Sequence, residues 1–355
     1  MRLFSFLLYP FALLYGLVTL IRNKLYDWRV LKSTGFDFPV ISVGNLSVGG
    51  TGKTPHVEYL IKLLMGDYKV ATLSRGYKRN TKGYIEAGMG SATSEVGDEA
   101  VQKKQKFTEV VVAVDEKRVR GIERLLADHP QTEAIILDDA FQHRSIKPEL
   151  NILLTDFHKL YPEDYPMPMG SLREFRIGAR RADMIVITKT LTTLSPITAR
   201  RIASLIKPRD HQKLYFSYIK YGQITPIPGL KNLPDLAKAI NNILVFAGIA
   251  NMYPLVDHLK KMANQVEVLR FGDHHKYTGS DLAKIKETFD GMFTKNKIII
   301  TTEKDAMRLF FPKIPEILKG LPIFYIPIEI KIHRDYRTEF NDQIINYVKE
   351  NTGNR

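Results

Sequence analysis

Cysteine is absent from this chain of 355 residues. Disulfides and thiolate metal sites are thereby excluded, and a reducing compartment is compatible. Internal repeats and low-complexity segments are also missing, so a repeat array is not expected. Acidic residues are the minority: 38 Asp and Glu stand against 52 Lys and Arg, a formal net charge of +14. Such a surplus attracts anions, whether nucleic acid, acidic lipid headgroups or phosphorylated substrates. No aromatic-basic recognition motif accompanies the charge, which leaves nucleic acid without a specific signal. What is present suffices for folding. Hydrophobic residues make up 44% of the chain, enough for a substantial core in one large or two ordinary domains.

Charge is missing altogether from "LFSFLLYPFALLYGLVTLI", Leu3 to Ile21. The run is just long enough to cross a bilayer as a helix. Pro10 and Gly16 would bend or loosen it, and Phe4, Phe6, Tyr9 and Phe11 suit an interfacial position. Arg22, Lys24, Arg29 and Lys32 follow at once and would keep the remainder in the cytoplasm. A small-x-small cleavage site after the run is lacking, which reads against a signal peptide. The expectation is a membrane-associated helix over residues 1–26, either spanning the bilayer or lying in one leaflet.

Beyond it, strand-like runs alternate with amphipathic helical ones. "FPVISVGNL", "KVATLSRGY", "EVVVAV", "EAIILDDAF", "NILLTDF" and "ADMIVITK" are β-rich, while "HVEYLIKLLMG", "EKRVRGIERLLAD" and "PITARRIASLI" have helical spacing. This rhythm predicts an α/β fold with a mainly parallel sheet flanked by helices, of the P-loop NTPase kind, over residues 27–212. The aromatic-polar stretch 213–230 reads as a hairpin linker. A second alternating unit, 231–330, predicts a smaller α/β domain, and 331–355 a C-terminal surface helix.

"VGNLSVGGTGKTPHVEYL" joins the first strand to a helix. A Walker A loop needs glycines so that its backbone N–H groups can turn toward phosphate oxygens. It also needs a lysine for the β/γ-phosphates and a hydroxyl for Mg²⁺. Gly49, Gly50 and Gly52 supply the first, Lys53 the second and Thr54 the third; Ser47, where the pattern has its leading glycine, and Thr51 complete the nucleotide-binding set. The helix N-terminus adds a dipole favourable to anions. "AIILDDAFQH" ends a strand in Asp138 and Asp139, the place of a Walker B carboxylate that holds Mg²⁺. "VITKTL" offers Thr188 and Lys189 as further nucleotide contacts. Leu191 stands where a guanine site would have Asp, which selects ATP over GTP.

"GNLSVGGTGKTP", "SRGYKRN", "VGDEA", "LDDAFQH", "LREF", "DHHKYT" and "TTEKDA" occur in an order that resembles the tetraacyldisaccharide 4′-kinase family, the lipid A 4′-kinases. The likeness covers most of the chain, including the apolar N-terminus and the Ser-led loop. One departure is Ala100, where the family's "GDEP" has proline. The resemblance implies MgATP-dependent phosphorylation of a glucosamine hydroxyl on an acylated disaccharide lipid, at the cytoplasmic face of the inner membrane, with no protein partner evident. It also implies site residues. Asp98 would take the acceptor proton, since an alcohol is a poor nucleophile at neutral pH. His274 would orient Asp98 from the second domain, so that domain closure assembles the pair. Arg118 would neutralise transition-state charge, Glu174 would hold Mg²⁺ or its water, and Arg75, Tyr77 and Arg173 would meet the acceptor.

Each assignment has a plainer rival. Asp98 could simply cap the helix that follows it; His274-His275 could be an exposed turn, and no zinc-like spacing surrounds it. The competing function is a membrane-associated P-loop ATPase acting on a protein partner without a small acceptor.

Overall fold

In the computed structural model, which describes residues 7–230, 233–234, 236, 240–249, 251–273, 275–294, 296–310 and 314–352, the β-rich runs form two sheets. The first contains β1 (Val40–Asn45), β2 (Val70–Ser74), β3 (Ile85–Glu86), β4 (Val111–Val114), β5 (Ala134–Asp138), β6 (Leu150–Asp156), β7 (Met184–Thr188) and β8 (Lys213–Tyr221). The second contains β9 (Thr225–Pro226), β10 (Ile240–Ala247), β11 (Ala263–Arg270), β12 (Lys297–Thr302) and β13 (Ile323–Ile326). The chain then returns to the first sheet as β14 (Ile328–Ile332).

The nine-stranded order is β14-β8-β7-β6-β1-β5-β2-β4-β3, and the five-stranded order is β11-β10-β12-β13-β9. Every pairing in the interior of both sheets is parallel; antiparallel pairs occur only at β3, β14 and β9. β1, β2, β5 and β7 are buried along their whole length, as continuous apolar runs covered on both faces should be. The fold is thus the expected mainly parallel α/β architecture.

The described helices are α1 (Tyr9–Asp27), α2 (Lys53–Leu64), α3 (Thr93–Val96), α4 (Asp98–Lys106), α5 (Arg118–Asp128), α6 (Pro196–Ile206), α7 (Tyr253–Leu259), α8 (Gly279–Asp290), α9 (Glu303–Phe310) and α10 (Arg334–Thr352). In α2 the stripe Val57, Leu60, Ile61 and Leu64 is buried, the i, i+3, i+4, i+7 face of a helix docked on a sheet. The first sheet's core joins these residues to Ile41, Val43, Ile136 and Val186. The second sheet is packed on its two faces by separate clusters around Phe246 and Ile285, and around Val245 and Leu255.

Three segments differ from expectation. Residues 213–230 are not a free-standing hairpin: β8 pairs with β7 and β14 in the first sheet, and β9 pairs with β13 in the second. The period-2 pattern around Tyr221 signals strands, but the pairing partners lie far off in sequence, where local reading does not reach. The C-terminal helix is more than a surface element, because Phe340, Ile344 and Val348 enter the first sheet's core.

The third is the N-terminus. Among the described residues no helix is long and apolar enough to cross a membrane, so the spanning alternative has no support. α1 lies against the protein instead. A Cβ on Gly16 would come within 2.4 Å of the Phe175 ring, so only glycine permits this approach. Tyr15 donates to the Arg173 carbonyl (3.0 Å) and Asn23 Nδ2 to Glu174 Oε2 (2.6 Å). The opposite side leaves Phe11, Leu13, Leu14, Leu17, Val18 and Ile21 exposed.

Gly16→Leu should detach α1 from Phe175, because overpacking of this kind costs about 1–3 kcal/mol. Limited proteolysis should then cut near Arg22 and Lys24 faster than in the parent chain; equal cleavage rates would show that the ring moves aside.

Candidate functional site

The loop after β1 is held open by side chains rather than by glycine alone. Asn45, the buried last residue of β1, donates from Nδ2 to the Ser47 carbonyl (2.6 Å) and to Thr51 Oγ1 (2.9 Å). Lys53 Nζ reaches back to Asn45 Oδ1 (3.4 Å). From outside, Val48 N donates to the Ser171 carbonyl (2.7 Å) and Arg173 N to the Leu46 carbonyl (2.7 Å). Gly49 and Gly52 take φ of 108° and 88°, a region side chains disfavour. No atom lies within 4 Å of where a Cβ of Gly49 or Gly50 would stand, so the loop has room for a phosphate group. His56 meets the Gly52 carbonyl through Nδ1 (2.7 Å) and Ser217 Oγ through Nε2 (2.9 Å). Burial lowers its pKa to about 4 against the partial support of the Gly52 carbonyl, so it is neutral at pH 7 and buttresses the loop without adding charge.

Asp138 and Asp139 close β5 on the neighbouring strand. Asp139 sits at φ 53°, which turns its side chain toward the loop. Its Oδ1 accepts from Arg173 Nη1 (2.9 Å) and stands 3.7 Å from Lys53 Nζ. Burial pushes this carboxyl up, but Lys53, Arg173 and Arg118 outweigh it and hold the pKa below the usual value. Asp138 is paired differently. Its Oδ2 accepts from Lys103 Nζ on α4 at 2.6 Å, with both side chains almost wholly buried. Its Oδ1 is buried and has no hydrogen-bond partner.

Arg118 is also buried. Nη1 donates to the Asp115 carbonyl (2.6 Å), whereas Nε and Nη2 have no partner. Burial lowers its pKa to about 10, opposed by the charges of Asp139 and Asp138. Buried donors and acceptors left unmade are costly unless a ligand completes them. Here the unmade groups are a carboxylate oxygen and two guanidinium N–H groups, which together match a cation and an anion.

Asp138, Asp139 and Arg173 border one cleft of about 430 Å³, whose lining also includes Arg75, Tyr77 and, from the loop after β1, Val48. Sequence reasoning missed several of its walls: Tyr15 and Arg22 of α1, Glu99, Gln142 and His143. Gln142 and His143 lay inside the quoted "LDDAFQH" run and carried a signal. Glu99 has its pKa raised, by burial first and then by Asp138. His143 is brought down to about 4 by burial and by Arg118 and Arg75.

Asp98 opens α4. The preceding Gly97 has φ 87°, and a Cβ there would lie 3.0 Å from the Tyr77 carbonyl, so glycine is required for α3 to turn into α4. Gly97, not Asp98, is the N-cap, and no side chain caps α4; Asp98 Oδ1 accepts the Glu99 N–H (3.0 Å), while Oδ2 accepts from Arg308 Nε (2.7 Å) and Nη2 (2.5 Å) on α9. His274 lies outside the described residues.

Two sets of candidates have protein partners. Arg181 forks onto both oxygens of Glu174 (2.7 and 2.9 Å), and Asn23 and Gln142 also donate to it. Glu174 thereby joins α1 to the first domain. Thr188 Oγ1 donates to the Thr155 carbonyl (3.3 Å) and Lys189 pairs with Asp156 (2.7 Å).

A divalent cation fits the remaining donor set. Asp138 Oδ1 lacks a partner, Asp139 faces the loop, and Thr54 opens α2 beside Lys53. Among the described residues no group of three or more His, Asp or Glu side chains is arranged to hold a metal alone, so such an ion would rely on ligand oxygens as well.

Comparison with known proteins agrees with this geometry. Residues 4–349 match the family model described as tetraacyldisaccharide-1-P 4′-kinase, LpxK. The chain is 46% identical to a tetraacyldisaccharide 4′-kinase of Bacteroides thetaiotaomicron, over 98% of this chain and 94% of the relative. It is 44% identical to one of Flavobacterium johnsoniae, over 99% of each. Among solved structures it is similar to LpxK from Aquifex aeolicus, whose crystal structure is described as an "apo" form in complex with ATP. That likeness has a TM-score of 0.74 at 29% identity and covers 98% of this chain and 99% of the other.

Lys103→Met should destabilise the chain by about 3–5 kcal/mol, because it strands the Asp138 carboxylate in a buried place. The double variant Lys103→Met/Asp138→Leu should recover most of that loss in chemical denaturation. Equal destabilisation of single and double variants would mean that packing, not charge, is what Lys103 contributes.

Proposed function

The chain belongs to the tetraacyldisaccharide-1-phosphate 4′-kinase family, and we propose that its cleft passes the γ-phosphate of ATP to the 4′-hydroxyl of a tetraacyldisaccharide 1-phosphate, a lipid A precursor. The observation that carries this reading is the shared wall of the site. One cleft is floored by Asp138 and Asp139 and walled by Tyr15, Thr19 and Arg22 of α1, the helix whose other side is exposed and apolar. Val48 of the loop after β1 lines the same cleft, which supports a triphosphate held beside the helix whose far side meets lipid.

In the transfer, the bond from the acceptor oxygen to the γ-phosphorus forms while the bond from that phosphorus to the β–γ bridging oxygen breaks, and ADP leaves. The reaction is governed by positioning and charge neutralisation. The N–H groups of residues 49–54 cradle the triphosphate, and Lys53, now beside Asp139, turns its ammonium to the β/γ-phosphates. Arg118, with two unpartnered N–H groups, meets charge on the transferring group. Asp98 takes the acceptor proton, oriented with His274. Thr54, Asp138 and Asp139 would hold Mg²⁺. When bound, that ion neutralises the β- and γ-oxygens. Arg75, Tyr77 and Arg173 face the acceptor from the cleft.

α1 lies on the cytoplasmic face of the inner membrane with Leu13, Leu14, Leu17 and Val18 in the interfacial region. An amphipathic surface helix beside basic residues binds anionic bilayers without spanning them, and the net charge of +14 favours the same side. The acyl chains of the substrate then remain in the leaflet while its sugar enters the cleft.

Purified protein incubated with γ-labelled ATP and the tetraacyldisaccharide 1-phosphate should give a labelled bisphosphorylated lipid. Without the lipid, ATP hydrolysis should be slight; lipid-independent turnover would favour an ATPase. Lys53→Ala should lower kcat by roughly 10²-fold or more, with full loss of label transfer as the readout.

Leu14→Glu/Leu17→Glu should weaken binding to anionic vesicles at least about tenfold, given roughly 1.5–3 kcal/mol per buried leucine. It should also raise KM for the lipid and leave KM for ATP unchanged. Unaltered vesicle binding would remove α1 from the membrane contact.

A further inference from the structure

We propose that Arg308, a residue of the second sheet's domain, is a positioning residue for phosphoryl transfer: it is the grip by which that domain sets the Asp98 carboxylate. The inference rests on the reading of Asp98 as the group that takes the acceptor proton.

Arg308 stands 210 residues from Asp98 in sequence and places Nε and Nη2 on one oxygen, Oδ2, at 2.7 and 2.5 Å. Its third nitrogen, Nη1, donates to Asp305 Oδ1 at 3.1 Å. Asp305 is wholly buried, and its Oδ2 accepts from Gly248 N (3.0 Å) at the end of β10 and from Thr302 Oγ1 (2.6 Å) at the end of β12. The guanidinium is therefore held from behind by the ends of two strands of the second sheet and presented to the first domain. Gly248 in turn packs against Gly272 and His275. A Cβ there would lie 2.9 Å from the Gly272 carbonyl and 3.2 Å from His275 Cβ. Asp305 with Arg308 thus links Asp98 to the ends of β10 and β12.

Two charge-assisted hydrogen bonds converging on Oδ2 hold that oxygen in place and compensate its charge, while Oδ1 accepts the Glu99 N–H. Side chains at this join are nearly buried, with Arg308 and Asp98 each 10% exposed, so solvent contributes little to either. The other charged groups facing Asp98 are Glu99 on its own helix and Lys304, also on α9, with Asp273 reaching the same group through Lys304. Arg308 makes two hydrogen bonds to Asp98 and belongs to the second domain. A shift of that domain relative to the first would therefore act on Asp98 through this ion pair rather than through substrate.

The test is steady-state kinetics of the full chain on ATP and the tetraacyldisaccharide 1-phosphate as a function of pH. Arg308→Gln should lower kcat about ten- to a hundredfold and move KM for ATP by less than twofold. The acid limb of its kcat profile should shift upward by roughly one pH unit, since loss of a nearby cation favours the protonated carboxyl. Arg308→Lys retains the charge without the fork, so its acid limb should stay near the parent's while kcat falls several-fold. If Arg308→Gln does not fold, the Lys variant decides: unchanged kcat overturns the proposal. The double variant Asp98→Asn/Arg308→Gln should be no slower than Asp98→Asn. Independent, multiplicative losses with an unmoved pH profile would reduce Arg308 to a structural contact. Near-normal turnover by Asp98→Asn would overturn the reading of Asp98 itself, whatever Arg308 does.

Discussion

Negative charge gathered in a poorly solvated place is the constraint on which this structure turns. Asp98, Asp138 and Asp139 converge where the first sheet's strands end, and an ionised carboxylate taken out of water needs a partner. Each has one from a different element: Arg308 from α9, Lys103 from α4, and Lys53 of α2 with Arg173 from a loop. The pairs are unequally sealed. Lys53 and Arg173 keep some solvent contact, at 13% and 25% exposure. Lys103 has none.

That inequality gives Asp138 and Asp139 separate parts. Asp139 is the shared partner of Lys53 and Arg173, its charge held by two cations at once. Asp138 is clamped on one oxygen and leaves the other aimed without a partner. The strand order explains why both stand together. β1 and β5 are neighbours, with β2 beyond β5, so the loop after β1 and the pair ending β5 emerge side by side. Open α/β sheets bind ligands at the carboxyl ends of strands for this reason.

Local pattern made a good part of this legible. The loop from Ser47 to Thr54 and the Asp138-Asp139 pair were readable because their chemistry depends on residues close together in sequence and on a strand before them. The parallel sheet was readable from alternating apolar runs. Pairings across long separations were not. Nothing near Arg308 announces Asp98, and nothing near Glu174 announces Arg181 forking onto it or Asn23 reaching it from α1. Lys103 reads as one basic residue in "VQKKQK" and is among the most buried side chains of the chain. The strands at 213–221 and 328–332 show the same limit, since they pair with each other across more than a hundred residues.

The chain passes between its two sheets twice, from β8 to β9 and back from β13 to β14. These passages lie together: the Gly222 N–H donates to the Pro327 carbonyl at 2.8 Å. The second sheet is thus an insert whose two stems form a single doublet. A body held by two adjacent stems resists being pulled away or slid sideways, because either would shear the ladder of β8 and β14. Swivelling about the doublet would spare that ladder but would strain the ion pairs Arg308–Asp98 and Lys106–Glu303, which join the insert to α4. The insert is thus hinged at its stems and latched at α4.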